Sequence, residues 1–202
     1  MNAKPLPESY WIAPGNFLAG GYPISTFADE TINRLRLAAF FEAGFDTFFD
    51  LTRPGELPAY LPLLQDEAVR YNVSVDYRRF PTQDKNPPSR EQMAALLDAI
   101  DAALESGHRV YLHCWGGIGR TGTVVGCWLV RHGLVGKQAL ARLNELYQSA
   151  EHSRIFPHSP ETDAQADFIV NWVEPSSSSS PLTPPTSQFR YGGTKGGRGR
   201  RG

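Results

Sequence analysis

Cysteine is scarce in this chain: 202 residues contain two, Cys114 and Cys127. That excludes a disulfide scaffold, and no cluster of histidines and cysteines has zinc-ligand spacing. Long apolar runs are lacking too. The longest lies around Val124 to Val130, well below the roughly 20 residues needed to span a bilayer. Met1 to Tyr10 holds a lone Lys4 but no apolar core of a secretory signal. The expectation is a soluble, cytoplasmic protein without membrane contact. Acidic residues are absent from residues 175–202, which carry five cations (Arg190, Lys195, Arg198, Arg200, Arg201). The formal charge of −1 therefore averages a body of net −6 with a tail of +5.

What is present fits a folded domain. Hydrophobic residues make up 41% and charged residues 20%, and a domain of this size buries roughly 70% of its unfolded-chain surface without a staple. Residues 1–174 form the expected domain. Residues 175–188 contain four prolines, six serines, two threonines and a single apolar residue, Leu182; such a segment cannot offset its ordering entropy and reads as a disordered linker. Residues 189–202 read as a disordered Gly/Arg-rich tail.

Within the body, extended pieces at Trp11–Ile12 and Phe17–Ala19 precede a helix over about Asp29 to Glu42. Phe45–Leu51 and Val73–Phe80 read as strands, separated by helical spacing from Tyr60 to Arg70. Ser89 with Gln92 forms a capping-box signature for a helix over Arg90–Glu105. Arg109–His113 is an apolar strand, Arg120–Arg131 a helix apolar nearly all round, and Gly136–Tyr147 an amphipathic one. Ser159-Pro160-Glu161 looks like the start of a last helix, with Ser159 as its cap. Helices alternating with β-rich runs predict an α/β fold whose central, mostly parallel twisted sheet is flanked by helices.

The chemistry concentrates in His113-Cys114-Trp115-Gly116-Gly117-Ile118-Gly119-Arg120-Thr121-Gly122. A strand ends at His113 and a helix starts near Arg120, so the intervening loop lies at the carboxyl edge of the sheet, where ligands bind in open α/β folds. Its glycines let backbone N–H groups converge on one point, beside the positive end of a helix, which suits a phosphate. Arg120 adds a planar fork for two phosphate oxygens. The same positive environment stabilises a thiolate at Cys114, a nucleophile aimed at phosphorus whose attack gives a phosphocysteine. His113 orients the loop rather than acting as a base, and Thr121 can hydrogen-bond the sulfur as it leaves.

This segment resembles the signature loop of the protein tyrosine phosphatase superfamily, His-Cys-x5-Arg-Thr/Ser-Gly, in the form used by small dual-specificity enzymes such as kinase-associated phosphatases. The resemblance implies a phosphoprotein phosphatase with tyrosine or dual specificity. Cys114 would be its nucleophile, Arg120 its phosphate clamp, and residues 114–120 its phosphate loop, with no metal or other cofactor. It also implies an acid on the loop after the preceding strand, some thirty residues upstream of the cysteine. Asp84, thirty residues before Cys114 among Pro81, Pro87 and Pro88, matches. Asp76 and Asp101 compete but fall inside regular structure. Several branches place a water-positioning glutamine at the start of a late helix, a role that Gln165 could fill as readily as that of a solvated helix residue.

Between Cys114 and Arg120 there is no Lys or His, which disfavours a phosphoinositide substrate. The partner expected is a phosphorylated protein, and the chain is expected to be a monomer. A catalytically silent phospho-recognition module is the rival reading. The basic tail, with Phe189 and Tyr191 for stacking, offers a weak nonspecific RNA contact. Cys127 reads as a buried core residue, with a reversible disulfide to Cys114 as the alternative. His108, His132, His152 and His158 read as surface residues.

Overall fold

A computed structural model describes residues 3–175 and the short strand 189–190. Five four-residue strands and a final two-residue one are interspersed with longer helices in the order β1 (Tyr10–Ala13), β2 (Phe17–Gly20), α1 (Glu30–Glu42), β3 (Thr47–Asp50), α2 (Leu61–Tyr71), β4 (Asp76–Arg79), α3 (Arg90–Glu105), β5 (Val110–His113), α4 (Gly119–Arg131), α5 (Gly136–Tyr147), α6 (Asp163–Val170) and β6 (Phe189–Arg190). The sheet order is β1-β2-β5-β3-β4-β6. The four inner strands β2, β5, β3 and β4 run parallel, while β1 and β6 add antiparallel edges. This is the expected α/β sheet.

The period-two alternation of strand side chains divides the core. Phe49, Val110 and Leu112 face one side, in a cluster with residues of α3, α4, α5 and α6. Phe48, Tyr77 and Tyr111 face the other, packed with residues of α1 and α2. Strand β5 is buried at every position, as a central parallel strand covered on both faces must be.

Local signals fix the helix ends. The Asp29 carboxylate accepts from Ile32 N–H at 2.9 Å to start α1. At α3 the Ser89 hydroxyl accepts from Gln92 N–H at 3.2 Å and the Gln92 side chain accepts from Ser89 N–H at 3.1 Å, a complete capping box. The last helix starts later than expected. Its cap is Thr162, paired with Gln165 in a second capping box. Ser159 is not a cap, because its hydroxyl donates to the Ile118 carbonyl at 2.8 Å, across to the start of α4.

Among the described residues no helix is long and apolar enough to cross a membrane. Residues 176–188 of the expected linker and 191–202 of the tail, with its RNA contact, lie outside the described residues; Phe189–Arg190, expected to open a disordered tail, runs as β6.

Candidate active site

Three neighbouring parallel strands, β2, β5 and β3, end at Gly20, His113 and Asp50. The chain from Cys114 to Ile118 turns at that edge into α4. The carbonyls of this turn are tied outward. Tyr22 N–H donates to Trp115 O at 2.8 Å, His152 Nδ1 to Gly116 O at 2.9 Å, and Ser159 to Ile118 O. With its carbonyls held on the outside, the loop turns its N–H groups to the concave side, an anion nest at a helix N-terminus. Gly117 makes the turn possible. Its φ is +74°, and a Cβ there would lie 2.4 Å from the Gly20 carbonyl carbon. No other residue fits.

Beneath the loop, His113 is fully buried. Its Nδ1 lies 3.3 Å from the Cys114 carbonyl, and its Nε2 lies 2.7 Å from the Tyr60 hydroxyl. A carbonyl only accepts, so Nδ1 carries the proton and Tyr60 donates to Nε2. Burial lowers the imidazole pKa below 6.5, only partly opposed by nearby Asp50, which keeps the ring neutral and in this tautomer. Asp50 is itself buried, accepting from Thr52, Tyr77 and Arg79. Burial alone would raise its pKa, but the His113 field and these donors bring it below its ordinary value.

The Arg120 side chain is 1% exposed. Its two terminal nitrogens meet the Glu56 carboxylate at 2.8 and 2.6 Å, and one of them lies 3.2 Å from Asp84 Oδ1. Burial works against its charge, yet Glu56, Cys114 and Asp84 together raise its pKa above the ordinary guanidinium value. Burial likewise opposes ionisation of Glu56, and the Arg120 contact reverses that, drawing its pKa below 4.5. Three buried polar atoms around the loop have no partner among the described residues: Arg120 Nε, Thr121 Oγ1 and Gln165 Nε2. Buried polar atoms are ordinarily satisfied. Two donors and a hydroxyl left open at an anion nest suit a phosphate, a sulfur and a water.

Cys114, Trp115, Gly116, Ile118, Gly119, Arg120 and Asp84 line one cavity of about 430 Å³, closed further by Lys85, Phe156 and Glu161. The sequence-predicted loop and Asp84 thus come together. Gly117 supports the turn from behind, and Thr121 is buried on α4. Gln165 is also fully buried, not solvated; its Oε1 accepts from Glu161 N–H and Thr162 N–H at 3.2 and 3.1 Å, and its amide lies against Gly119. Asp76 pairs with Arg78 and Asp101 with Arg131, away from the cavity. His152 was expected at the surface but is half-buried on the loop. Cys127 is fully buried in α4, and burial pushes its thiol far up. Glu56, Tyr60 and Phe156 were not anticipated. Glu56 follows Pro54-Gly55 in the loop after β3, at the same carboxyl edge of the sheet as Cys114, and that position is the only signal it carries.

Residues 32–134, half of the chain, match the family described as "Polymorphic toxin system, DSP-PTPase phosphatase". An uncharacterized protein of Methanocaldococcus jannaschii is 26% identical over 108 residues, covering 54% of this chain and 67% of its own. The mouse protein tyrosine phosphatase domain-containing protein 1 is 28% identical over 60% of this chain and 17% of its own. The chain thus spans from two thirds down to a small part of these relatives' lengths. Among solved structures, the active form of Tk-PTP superposes with a TM-score of 0.59 at 26% identity, covering 81% of this chain and 94% of that one. A kinase-associated phosphatase superposes with a TM-score of 0.62 at 18% identity, over 80% and 90%, a likeness of fold.

Proposed function

The chain belongs to this DSP-PTPase family, and from that premise we propose that it is a phosphoprotein phosphatase hydrolysing phosphomonoesters of tyrosine, or of tyrosine and serine/threonine, through a phosphocysteine intermediate. The observation that carries the proposal is Cys114 set in an anion nest with the buried Arg120, whose Nε–H is still open to a ligand. A phosphate seated there has its oxygens on the loop amides and Arg120 and its phosphorus facing the sulfur.

In the first step the Cys114 thiolate attacks phosphorus, the ester P–O bond breaks, and Asp84 gives its proton to the departing oxygen. In the second, a water attacks the phosphocysteine, Asp84 takes the water's proton, and the sulfur leaves as a thiolate. Thr121 Oγ1, which has no other partner among the described residues, stabilises that sulfur. Gln165 Nε2, also without a partner among the described residues and beside Gly119, orients the water. Preorganised donors aimed at developing charge supply most of the acceleration, and the acid contributes about 10²–10⁴-fold.

The test is hydrolysis of p-nitrophenyl phosphate. Activity in the wild type, abolished in Cys114→Ser while phosphopeptide binding persists, is the expected result. An inert wild type that still binds phosphopeptide would instead make the protein a recognition module.

A further inference from the structure

Beside the catalytic cavity lies a second one, of about 210 Å³, walled by the loop between β2 and α1 and by Leu57, Trp115, Gly116 and His152. Trp115 and Gly116 belong to both cavities, so the two adjoin at this segment of the phosphate loop. The catalytic cavity presents Arg120 and a nest of amides. The other cavity offers no unpaired formal charge from Arg or Glu: its two such residues, Arg36 and Glu8, are bonded to each other, and Arg36 Nε also donates to Pro23 O at 3.1 Å. Ser25, Thr26 and His152 add polar atoms to its wall, but its large exposed side chains are apolar. Phe27 is 101% exposed and Trp115 60% exposed, with Ile24 and Leu57 in the wall between them. A fully exposed phenylalanine in a cavity wall is the type of residue found at binding hot spots.

We infer that this second cavity is a substrate subsite that takes an apolar side chain of the phosphoprotein, close in sequence to the phosphorylated residue. The inference rests on the phosphatase reading. A polypeptide whose phosphate sits on the loop extends from the catalytic cavity in two directions, and the direction that crosses Trp115 leads into this second cavity. Its exposed aromatic side chains, Phe27 and Trp115, reward Leu, Ile, Met or Phe. The loop carrying Phe27 is held in register with the phosphate loop, since Tyr22 N–H donates to Trp115 O and the Tyr22 hydroxyl to Pro58 O, both at 2.8 Å. The subsite is therefore preformed, and its occupant loses little to loop ordering.

The experiment compares p-nitrophenyl phosphate with a phosphotyrosyl peptide set in a Ser/Gly background, in which one Leu is moved through the three positions on either side of the phosphotyrosine. In the wild type, Leu at one position raises kcat/KM at least about tenfold, the return for burying such a side chain. In Phe27→Ser, a change at a fully exposed residue that the fold tolerates, this preference collapses while hydrolysis of p-nitrophenyl phosphate is unchanged. A flat scan with active wild type, or a preference that survives Phe27→Ser, overturns the subsite and leaves the phosphatase reading intact. No hydrolysis of p-nitrophenyl phosphate overturns both. A wild-type dimer that Phe27→Ser dissociates would assign the patch to a second copy of this chain, against the inference.

Discussion

Arg120 keeps its charge where water is nearly excluded, and two carboxylates answer it. Glu56 holds both terminal nitrogens, whereas Asp84 reaches one of them from a half-exposed position. Removing one partner of a buried pair leaves the other charge uncompensated. Glu56 is partly exposed and Asp84 remains, so Glu56→Gln should cost about 1–3 kcal/mol in urea unfolding. It should also lower kcat/KM by about ten- to a hundredfold as the guanidinium fork loses its alignment. Unaltered kinetics would show that the phosphate alone aligns Arg120. Asp84→Asn should behave differently. It should slow alkyl phosphates by about 10²–10⁴-fold but aryl phosphates with good leaving groups far less, read from kcat across a leaving-group series. Equal slowing would point to another acid. Cys114, Arg120 and Asp84 could be singled out because the loop motif contains the first two and the resemblance it carries points to the third, and the fold brings all three to one cavity. Glu56 and Tyr60 were not, since each acts through a neighbour that only the fold brings close.

At the scale of elements, the phosphate loop is shaped by its surroundings as much as by its own sequence. Tyr22, His152 and Ser159 come from three separate segments, and each fixes one loop carbonyl. Gly117 permits the turn that these donors hold. Gly117→Ala combines a φ of +74° with a Cβ 2.4 Å from backbone, so the loop must shift. We expect kcat to fall by about 10²-fold or more and melting to drop by several degrees, measured together on purified protein. Near-normal kcat would mean that the loop tolerates another shape. Helices α3 and α5 follow the sequence reading at both ends, because caps and breakers are local chemistry. Helix α6 does not. Ser159 is drawn to the Ile118 carbonyl by a contact 41 residues away in sequence, and Thr162 takes the cap instead.

For the whole molecule, the sheet buries titratable groups near its carboxyl edge, and their shifts act in one direction. His113, Asp50 and Glu56 all have folded pKa values below their ordinary ones. The unfolded chain then binds more protons than the folded one as the medium is acidified. Stability should be full above pH 6.5, decline below it as unfolded His113 protonates first, and decline more steeply below about 4.5 as Glu56 and Asp50 follow. Melting temperature against pH checks this, and His113→Asn should flatten the upper part of the decline. The α/β class and the order of elements were legible from alternating periodicities. The assignment of α1 and α2 to one face of the sheet and α3 to α6 to the other was not, since helical spacing does not say which face a helix covers. Within the acidic body of net −6, the buried cation of the site is Arg120 at the start of α4, met by Glu56 and Asp84 from two other loops.

Everything in the proposed reaction depends on Cys114 carrying the phosphoryl group. Reaction with an aryl phosphate, quenched in acid within one turnover and digested for mass analysis, tests it directly. One phosphoryl group is expected on the peptide containing Cys114, accumulating further in a Gln165→Ala variant whose second step is slowed. Turnover without phosphoryl transfer to Cys114, or turnover persisting in Cys114→Ser, would contradict it.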